Sequence, residues 1–210
     1  MGSVLGEGLP PDDVVVTALR AGDEEMFAAL LDTWSGGLLR VARSYVSTDH
    51  SAEEVVQDTW LAVIDGIDCF EGRSSVKTWV YRILVNTAKK RGVRESRTLP
   101  WSAFEQDGGR SAGHGPVPPG GWKEVPGAWP TPEGEALAAE VRGLIAEALG
   151  RLPSRQRIVI TLRDVEGCSS DEVCEILEIS AANQRVLLHR ARVAVRGWLA
   201  GYFESGKRPE

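Results

Sequence analysis

The protein is a chain of 210 residues, of which 42% are hydrophobic and 26% charged. These proportions are typical of globular proteins and exclude a disordered chain, a collagen and a coiled-coil rod. No apolar stretch reaches the roughly 20 residues of a membrane-spanning helix, and the first residues lack the pattern of a secretory signal. With three scattered cysteines, we expect a protein of the reducing cytoplasm that does not insert into a membrane.

Charge is unevenly distributed along the chain, whose formal net charge is −6. Residues 73–97 carry eight basic side chains and one acidic one, and residues 181–210 carry six and two. Two basic blocks in an acidic protein favour local contact with a polyanion such as nucleic acid, and they leave acidic surface for another partner. An ordinary solvated face is the alternative interpretation of each block.

A segment rich in glycine and proline divides the chain. Residues 105–132 contain 7 Gly and 6 Pro in 28 positions, which argues against a regular helix or strand because proline removes a donor and glycine costs entropy. The segment therefore predicts a linker, in which Trp122 and Trp129 are unusual. The predicted division is an N-terminal extension at 1–22, a helical domain at 23–97, a linker at 98–132, a second helical domain at 133–203 and a tail at 204–210.

The first half of the chain predicts three main helices. Asp23 can cap a helix whose first two residues are acidic, which suits the positive end of the helix dipole. Gly36 and Gly37 predict a kink or break in that helix. Ser51 begins a pattern that resembles a capping box and predicts a helix at 51–65. After a loop, Ser75 predicts the start of a third helix that runs to about residue 91.

Helix 51–65 has one apolar stripe and one polar face. The stripe predicted to face the core consists of Ala52, Val55, Val56, Thr59 and Val63. The opposite face holds Glu54, Gln57, Asp58 and Leu61. A leucine centred in a polar face indicates contact with a partner, although a lone exposed leucine also occurs without any such role.

Helix 75–91 combines aromatic, cationic and amide side chains. Its predicted core residues are Val76, Val80, Ile83, Leu84 and Thr87, and Thr78 and Tyr81 are expected to point outward. Along one flank, at helical spacing, lie Trp79, Arg82, Asn86, Lys89 and Lys90. Such groups suit single-stranded DNA, because rings stack on bases and cations neutralise phosphates. An amphipathic helix with a basic polar face is the alternative.

The second half predicts helices near 133–149 and from about 154 to 166, then at 169–178 and 181–200. The last two, joined by a short turn, resemble a helix-turn-helix. Ser180 is the expected N-cap, and the predicted buried side holds Leu188, Ala191 and Val195. The outward side of the second helix begins with Arg185, Val186, His189 and Arg190, where a recognition helix enters a major groove. Alternating strand patterns are absent, so the predicted class is all-α.

The sequence contains no pattern typical of an enzyme. The histidines His50, His114 and His189 have no spacing typical of a nucleophile or a metal site, and Cys168 and Cys174 have no zinc-binding spacing. No glycine-rich phosphate loop lies between a strand and a helix. We therefore expect neither catalysis nor a metal or cofactor.

Taken together and in order, these segments resemble the bacterial RNA polymerase sigma factors of the extracytoplasmic-function (ECF) group, in the sigma-70 family. The similarity covers about residues 23–97 and 135–200. The stretches that carry it are DEEMFAALLDTW, SAEEVVQDTWLAVIDGID, CFEGRSSVKTWVYRILVNTAKK, LPSRQRIVITLRDVEGCSSDEVCEIL and SAANQRVLLHRAR.

The resemblance implies a transcription initiation factor that recruits core RNA polymerase to promoters. It implies contact with the clamp helices of the largest polymerase subunit through Glu54, Gln57, Asp58 and Leu61. It implies binding of the melted −10 element through Arg73, Lys77, Trp79, Arg82, Asn86, Lys89 and Lys90. It implies reading of the −35 duplex through Asn183, Arg185, Val186, His189, Arg190 and Arg192.

Two further expectations follow from the resemblance. An anti-sigma factor is expected as a regulatory partner, for which the long linker offers a docking site. Gln184 stands on the buried side, where the family usually has a small apolar residue, so packing of the turn is expected to differ.

The alternative function is a helix-turn-helix regulator that binds duplex DNA without polymerase, which leaves the basic aromatic helix and Leu61 unexplained.

Overall fold

The computed structural model describes residues 9–98, 141 and 143–205. Within these residues the regular structure is entirely helical, which confirms the all-α class. The described residues of Met1–Leu99 and Ser154–Arg192 form one compact unit, and those of Pro100–Pro153 and Val193–Glu210 form another. The predicted linker at 98–132, with Trp122 and Trp129, and the beginning of the helix predicted near 133 lie almost wholly outside the described residues.

The predicted helices that are described occur in the predicted order, and a further helix, α1, lies in the segment that was predicted as an N-terminal extension. Helix α5 is described over residues 143–150, and α6 continues into a π-helical turn at Thr161–Val165. A 3-10 turn at Ile67–Cys69 follows α3. The bounds of the other helices are α1 Asp12–Arg20, α2 Glu24–Ala42, α3 Asp49–Gly66, α4 Val76–Thr98, α6 Ser154–Ile160, α7 Ser170–Leu177 and α8 Ala181–Ser205.

The core of the first unit is built around α2, α3 and α4. The predicted core stripe of α3 is confirmed, since all five of its residues are buried. Facing it from α2 and α4 are further fully buried aliphatic side chains, each of which stabilises the fold by about 1.5–3 kcal/mol relative to exposure. These include Leu30, Leu38, Val41, Val80 and Leu84.

In the first half of the chain, two helix starts were predicted from capping residues, and one of these predictions is wrong. Asp23 is the N-cap of α2, where its carboxylate accepts a hydrogen bond from the Met26 amide at 3.0 Å. Helix α3, however, begins at Asp49 with Thr48 as N-cap. The Ser51 amide donates to the Thr48 hydroxyl at 3.1 Å. Threonine is also among the favoured N-cap residues, and here Thr48 takes the position three residues before Ser51.

Of the kink or break predicted at Gly36 and Gly37, the break does not occur, since α2 runs through both residues. Gly37 is needed for close packing instead. A Cβ atom at Gly37 would overlap the Glu166 carboxylate and the Tyr81 hydroxyl. Gly37 therefore marks a close approach between α2 and its neighbours, whereas a Cβ at Gly36 would meet only the Arg40 side chain of the same helix, at 3.7 Å.

The helix-turn-helix has the expected local chemistry. Ser169 and Glu172 form a reciprocal capping box at the start of α7. Glu178 ends α7 in the left-handed conformation, with φ 58° and ψ 46°. The Ser180 hydroxyl then accepts a hydrogen bond from the Asn183 amide at 3.2 Å, which confirms the predicted N-cap of α8. The residues of α8 that were predicted to be buried are buried, which confirms that prediction for Leu188, Ala191 and Val195.

Among the described helices, none combines the length and the apolar character required to cross a membrane.

Candidate nucleic-acid interface

The loop between α3 and α4 is held in place by Arg20 at the end of α1. Its guanidinium donates hydrogen bonds to the carbonyl oxygens of Ile67, Asp68 and Phe70, at 3.3, 3.4 and 2.8 Å. Gly72 turns the chain with a positive φ of 70°. The sequence pattern did not indicate Arg20, because a single arginine at a helix end carries no signal of the carbonyl groups it meets.

The start of α4 is fixed from two sides. The Ser75 hydroxyl accepts a hydrogen bond from the Thr78 amide at 3.1 Å. The Val76 amide donates to the Asp12 carboxylate of α1 at 2.9 Å. Both bonds satisfy amide groups that the first turn of a helix leaves without a helical partner. The loop and the first turns of α4 therefore form one defined surface.

A cleft of about 480 Å³ opens between this loop and α4. Phe70 packs on Trp79, with ring centroids 5.1 Å apart and planes inclined by 51°. Aromatic, cationic and amide groups thus share one recess, as binding of an unstacked base requires. Glu175 of α7 also lines it. The predicted DNA-contacting residues that the structure brings together here are Arg73, Trp79, Arg82 and Asn86.

The three predicted lysines do not line this cleft. The Lys77 ammonium donates to the carbonyl oxygen of Glu166 at 2.5 Å and lies 5.9 Å from the centroid of the Tyr81 ring. Lys89 and Lys90 are exposed further along α4. Exposed ammonium groups of this kind suit contact with a phosphate backbone that continues beyond the cleft.

Thr78 and Tyr81 were expected to point outward, and this prediction is wrong. They are only 1% and 0% exposed. The Thr78 hydroxyl donates to the Glu172 carboxylate at 3.0 Å, and the Tyr81 hydroxyl donates to the Glu166 carboxylate at 2.9 Å. Burial, followed by the charge of Glu166, raises the pKa of Tyr81 far above its ordinary value. A second packed side of α4, against α7 and the segment after α6, explains the difference.

The polar face of α3 is separate from this cleft. Gln57 and Asp58 are exposed, and Leu61 is 61% exposed. Ile64, one turn further on, is 51% exposed, so that two apolar side chains are adjacent on the helix surface. The sequence prediction missed Ile64, although its spacing of three residues from Leu61 was the available signal.

Glu54 differs from the other predicted residues on this face. Its carboxylate is paired with the Arg91 guanidinium of α4, and it lies 3.7 Å from His50 on its own helix. Glu54 is half-buried. It therefore links α3 to α4, whereas Gln57, Asp58 and Leu61 are available to a partner.

The recognition side of α8 is exposed as predicted. Val186 is 47% exposed among polar and cationic neighbours. Arg192 is instead held by Asp164, to which it donates two hydrogen bonds of 2.8 and 2.6 Å. Hydrogen bonding to this carboxylate raises the pKa of Arg192. The predicted residues that remain exposed are Asn183, Arg185, Val186, His189 and Arg190.

Gln184 lies beneath this surface and is 1% exposed. Its side-chain amide nitrogen has no hydrogen-bond partner among the described residues. A buried donor without a partner costs about 1–3 kcal/mol. The departure noted in the sequence therefore corresponds to an imperfect local fit in the core of the helix-turn-helix.

The described residues contain no cluster of histidine, cysteine and carboxylate side chains that could hold a metal ion. Cys168 is buried, and that burial raises the pKa of its thiol, which disfavours the reactive thiolate. His114 lies outside the described residues.

Two models of protein families match the chain. The description "Sigma-70 region 2" matches residues 30–98, and "Sigma-70, region 4" matches residues 142–195. An ECF RNA polymerase sigma-E factor of Salmonella typhimurium (strain 14028s / SGSC 2262) is 30% identical over 187 residues, which is 88% of this chain and 92% of the relative.

Two solved structures have a similar fold. CnrH in complex with the cytosolic domain of CnrY is 22% identical, with a TM-score of 0.55, and the match covers 90% of this chain and 97% of that one. The sigma factor RpoE in complex with the anti-sigma factor NepR from Bartonella quintana is also 22% identical, with a TM-score of 0.56 over 83% and 96% of the two chains.

Proposed function

This chain belongs to the ECF sigma factors of the sigma-70 family. We propose that three of its surfaces make the contacts required for transcription initiation. The polar face of α3 binds core RNA polymerase, the cleft beside α4 holds the melted −10 strand, and α8 reads the −35 duplex. This is a binding function carried out in the cytoplasm, without catalysis or a cofactor of its own.

The observation that carries the proposal is the cleft. Four residues predicted from the sequence for contact with melted DNA line one recess with an aromatic wall. A base that leaves the stack costs a few kcal/mol, which aromatic stacking and phosphate contacts offset. Asn86 supplies donors and an acceptor for the edge of that base, and Arg73 supplies charge at the rim. Lys89 and Lys90 extend the cationic path along α4.

The polymerase contact is assigned to Gln57, Asp58 and Leu61, and we add Ile64 because it is exposed next to Leu61. Its partner is the pair of clamp helices of the largest polymerase subunit, as the family resemblance implies. An apolar pair rimmed by acidic and amide groups supports a protein interface. A duplex-binding regulator without polymerase has no use for this surface.

The −35 contact is assigned to the exposed side of α8 and rests on the helix-turn-helix geometry. Arg185 and His189, one turn apart near its beginning, are placed to meet base edges, whereas Arg190 suits phosphate. Arg192 reaches DNA only if it leaves Asp164. Replacing Arg185 with Ala is expected to change base preference at the −35 element, and Lys89→Ala is expected to impair strand opening instead.

An anti-sigma factor is proposed as a further partner. One of the two similar structures holds CnrH with the cytosolic domain of CnrY, and the other holds the sigma factor RpoE with the anti-sigma factor NepR. This chain shares their fold. Its domains are proposed to be 23–97 and 133–203, joined by the linker at 98–132, with flanking segments at 1–22 and 204–210.

Holoenzyme formation tests the proposal directly. Purified chain and core RNA polymerase are mixed and separated by gel filtration, and the complex is then used for transcription from a library of promoters. The chain is expected to coelute with polymerase and to select a subset of promoters. A chain that binds duplex DNA tightly at physiological salt but never coelutes with polymerase is a regulator of the alternative class.

A further inference from the structure

Helix α4 carries proposed DNA contacts, yet part of it is covered by carboxylates within the same compact unit. Glu166 follows α6, and Glu172 and Glu175 lie on α7. We name these three residues the glutamate patch. All three bond to α4 or to the residue before it, and the contacts form a continuous row along one side of the helix.

The row begins at the start of α4. The Ser75 and Thr78 hydroxyls both donate to the same carboxylate oxygen of Glu172, at 3.2 and 3.0 Å. One turn further on, the Arg82 guanidinium donates to the Glu175 carboxylate at 3.3 Å. Arg82 is thereby held by an acidic group at the wall of the cleft that is proposed to take a base.

The centre of the row is Glu166, whose side chain is 9% exposed. Its carboxylate accepts hydrogen bonds from the Tyr81 hydroxyl at 2.9 Å and from the Arg40 guanidinium of α2 at 2.9 Å. Its carbonyl oxygen accepts from Lys77 at 2.5 Å. Gly37 makes this approach possible, since a side chain there would overlap the Glu166 carboxylate.

Carboxylates and phosphates present the same chemistry to a cation, namely negatively charged oxygen acceptors. Of the basic residues assigned to the −10 strand, Arg82 is bonded to the Glu175 carboxylate and Lys77 to the backbone carbonyl oxygen of Glu166. A DNA strand that takes these contacts has to displace the glutamate patch. Apparent DNA affinity then falls in proportion to the fraction of molecules whose surface is free.

We propose that the free chain is self-inhibited, with the segment that carries the glutamate patch occupying Lys77 and Arg82 until polymerase and promoter DNA displace it. The inference rests on the proposed function, because it takes the −10 contacts to lie on α4. Self-inhibition of the free chain is a form of regulation, and it goes beyond the three binding surfaces proposed above. The acidic groups of the helix-turn-helix segment act as an internal competitor of single-stranded DNA.

The first test is Glu166→Gln in the full chain, which keeps the shape of the side chain and removes its charge. The probe is a fluorescent single-stranded oligonucleotide of mixed sequence, bound at low salt and followed by anisotropy. Loss of its charge-assisted bonds to Arg40 and Tyr81 loosens the segment that holds Lys77 and presents Glu175 to Arg82. Binding is therefore expected to strengthen by about threefold to tenfold. Equal affinities for the variant and the unmodified chain would overturn the proposal.

The matched control is Glu178→Gln, at the exposed end of α7. It changes net charge by the same amount and bonds to no described side chain of α4. We expect less than about a twofold change, because only the weak long-range charge effect remains. An equal gain in both variants would mean that net charge alone governs affinity, and it would refute the closed arrangement.

The second test uses the unmodified chain and needs no DNA affinity. A water-soluble carbodiimide joins a carboxylate to a neighbouring amine as an amide, and peptide mass spectrometry locates the bond. We expect Lys77 to be joined to Glu166 or Glu172 in the free chain, with a yield that falls in the complex with polymerase and promoter DNA. Lys77 that couples only to carboxylates outside the glutamate patch in the free chain would contradict closure.

These outcomes separate the two levels of inference. A chain that never binds polymerase but shows the cross-link keeps the closed arrangement and loses the proposed function. A chain that binds polymerase and initiates transcription with the cross-link undiminished keeps the function and loses the self-inhibition.

Discussion

Replacing Leu61 with Ala should weaken the complex with core RNA polymerase without unfolding the chain. The side chain is 61% exposed in the free protein, so it is a solvent-facing group that an interface would cover. The substitution removes three carbons, each contributing about 0.8 kcal/mol when buried. Because roughly three fifths of the Leu61 side chain is still exposed and would be covered by polymerase, the loss of binding free energy is about 1.5 kcal/mol, which raises Kd about tenfold.

The assay is competition between labelled unmodified chain and unlabelled variant for core polymerase, with thermal unfolding of the free proteins alongside. Val14→Ala on α1 is the matched control, since Val14 is also a partly exposed aliphatic side chain, at 46%. We expect an unchanged midpoint of unfolding for both variants and a weaker complex only for Leu61→Ala. Equal affinities for the two variants would refute the assignment of α3 to the polymerase contact.

Three predictions concern stability. Gly37→Ala should lower the free energy of unfolding by about 1–3 kcal/mol, because the added methyl group overlaps packed neighbours. Gly36→Ala should raise the free energy of unfolding by up to about 1 kcal/mol, because alanine is the better helix former. Equal effects of the two substitutions in urea titrations would contradict this reasoning. Gln184→Met should raise it by about 1 kcal/mol by removing an unpaired buried donor, and a loss would show that the amide is satisfied. The backbone hydrogen bond from Ser169 lowers the pKa of Glu172 below 4.5, so the stability that the ionised carboxylate contributes is present above pH 4.5 and is lost as the pH falls further. In urea titrations between about pH 6 and about pH 3, the free energy of unfolding should therefore fall less steeply in Glu172→Gln than in the unmodified chain. An identical dependence on pH in the two proteins would refute this prediction.

Much of the fold follows from local patterns that a sequence carries in full. The core stripe of α3 was predicted correctly because apolar spacing of three and four residues defines one helix face. Asp23 and Ser180 were predicted as caps because a side-chain oxygen meets an amide only three residues away. These signals need no knowledge of distant parts of the chain.

The errors come from contacts between residues far apart in sequence. Thr78 and Tyr81 look like outward polar residues until Glu172 and Glu166, from the other end of the chain, bury them. Gly37 resembles a helix breaker until the packing that requires it is known. The polar face of an amphipathic helix was taken as a solvent face, and a second layer of helices made part of it an interior.

The sequence predicted which residues form the candidate site more fully than it predicted which of them are already bonded within the chain. Arg73, Trp79, Arg82 and Asn86 share one cleft, as helical spacing along α4 and the preceding loop suggested. The spacing could not reveal that Arg82 is already paired with Glu175. That information depends on the tertiary position of α7, which no local pattern encodes.

The central claim is that this chain directs core RNA polymerase to promoters. The most direct measurement is transcription of total genomic DNA by core polymerase with and without the chain, followed by sequencing of the RNA 5′ ends. We expect new, discrete start sites that depend on the chain and share two upstream elements. Identical sets of RNA 5′ ends with and without the chain would contradict it.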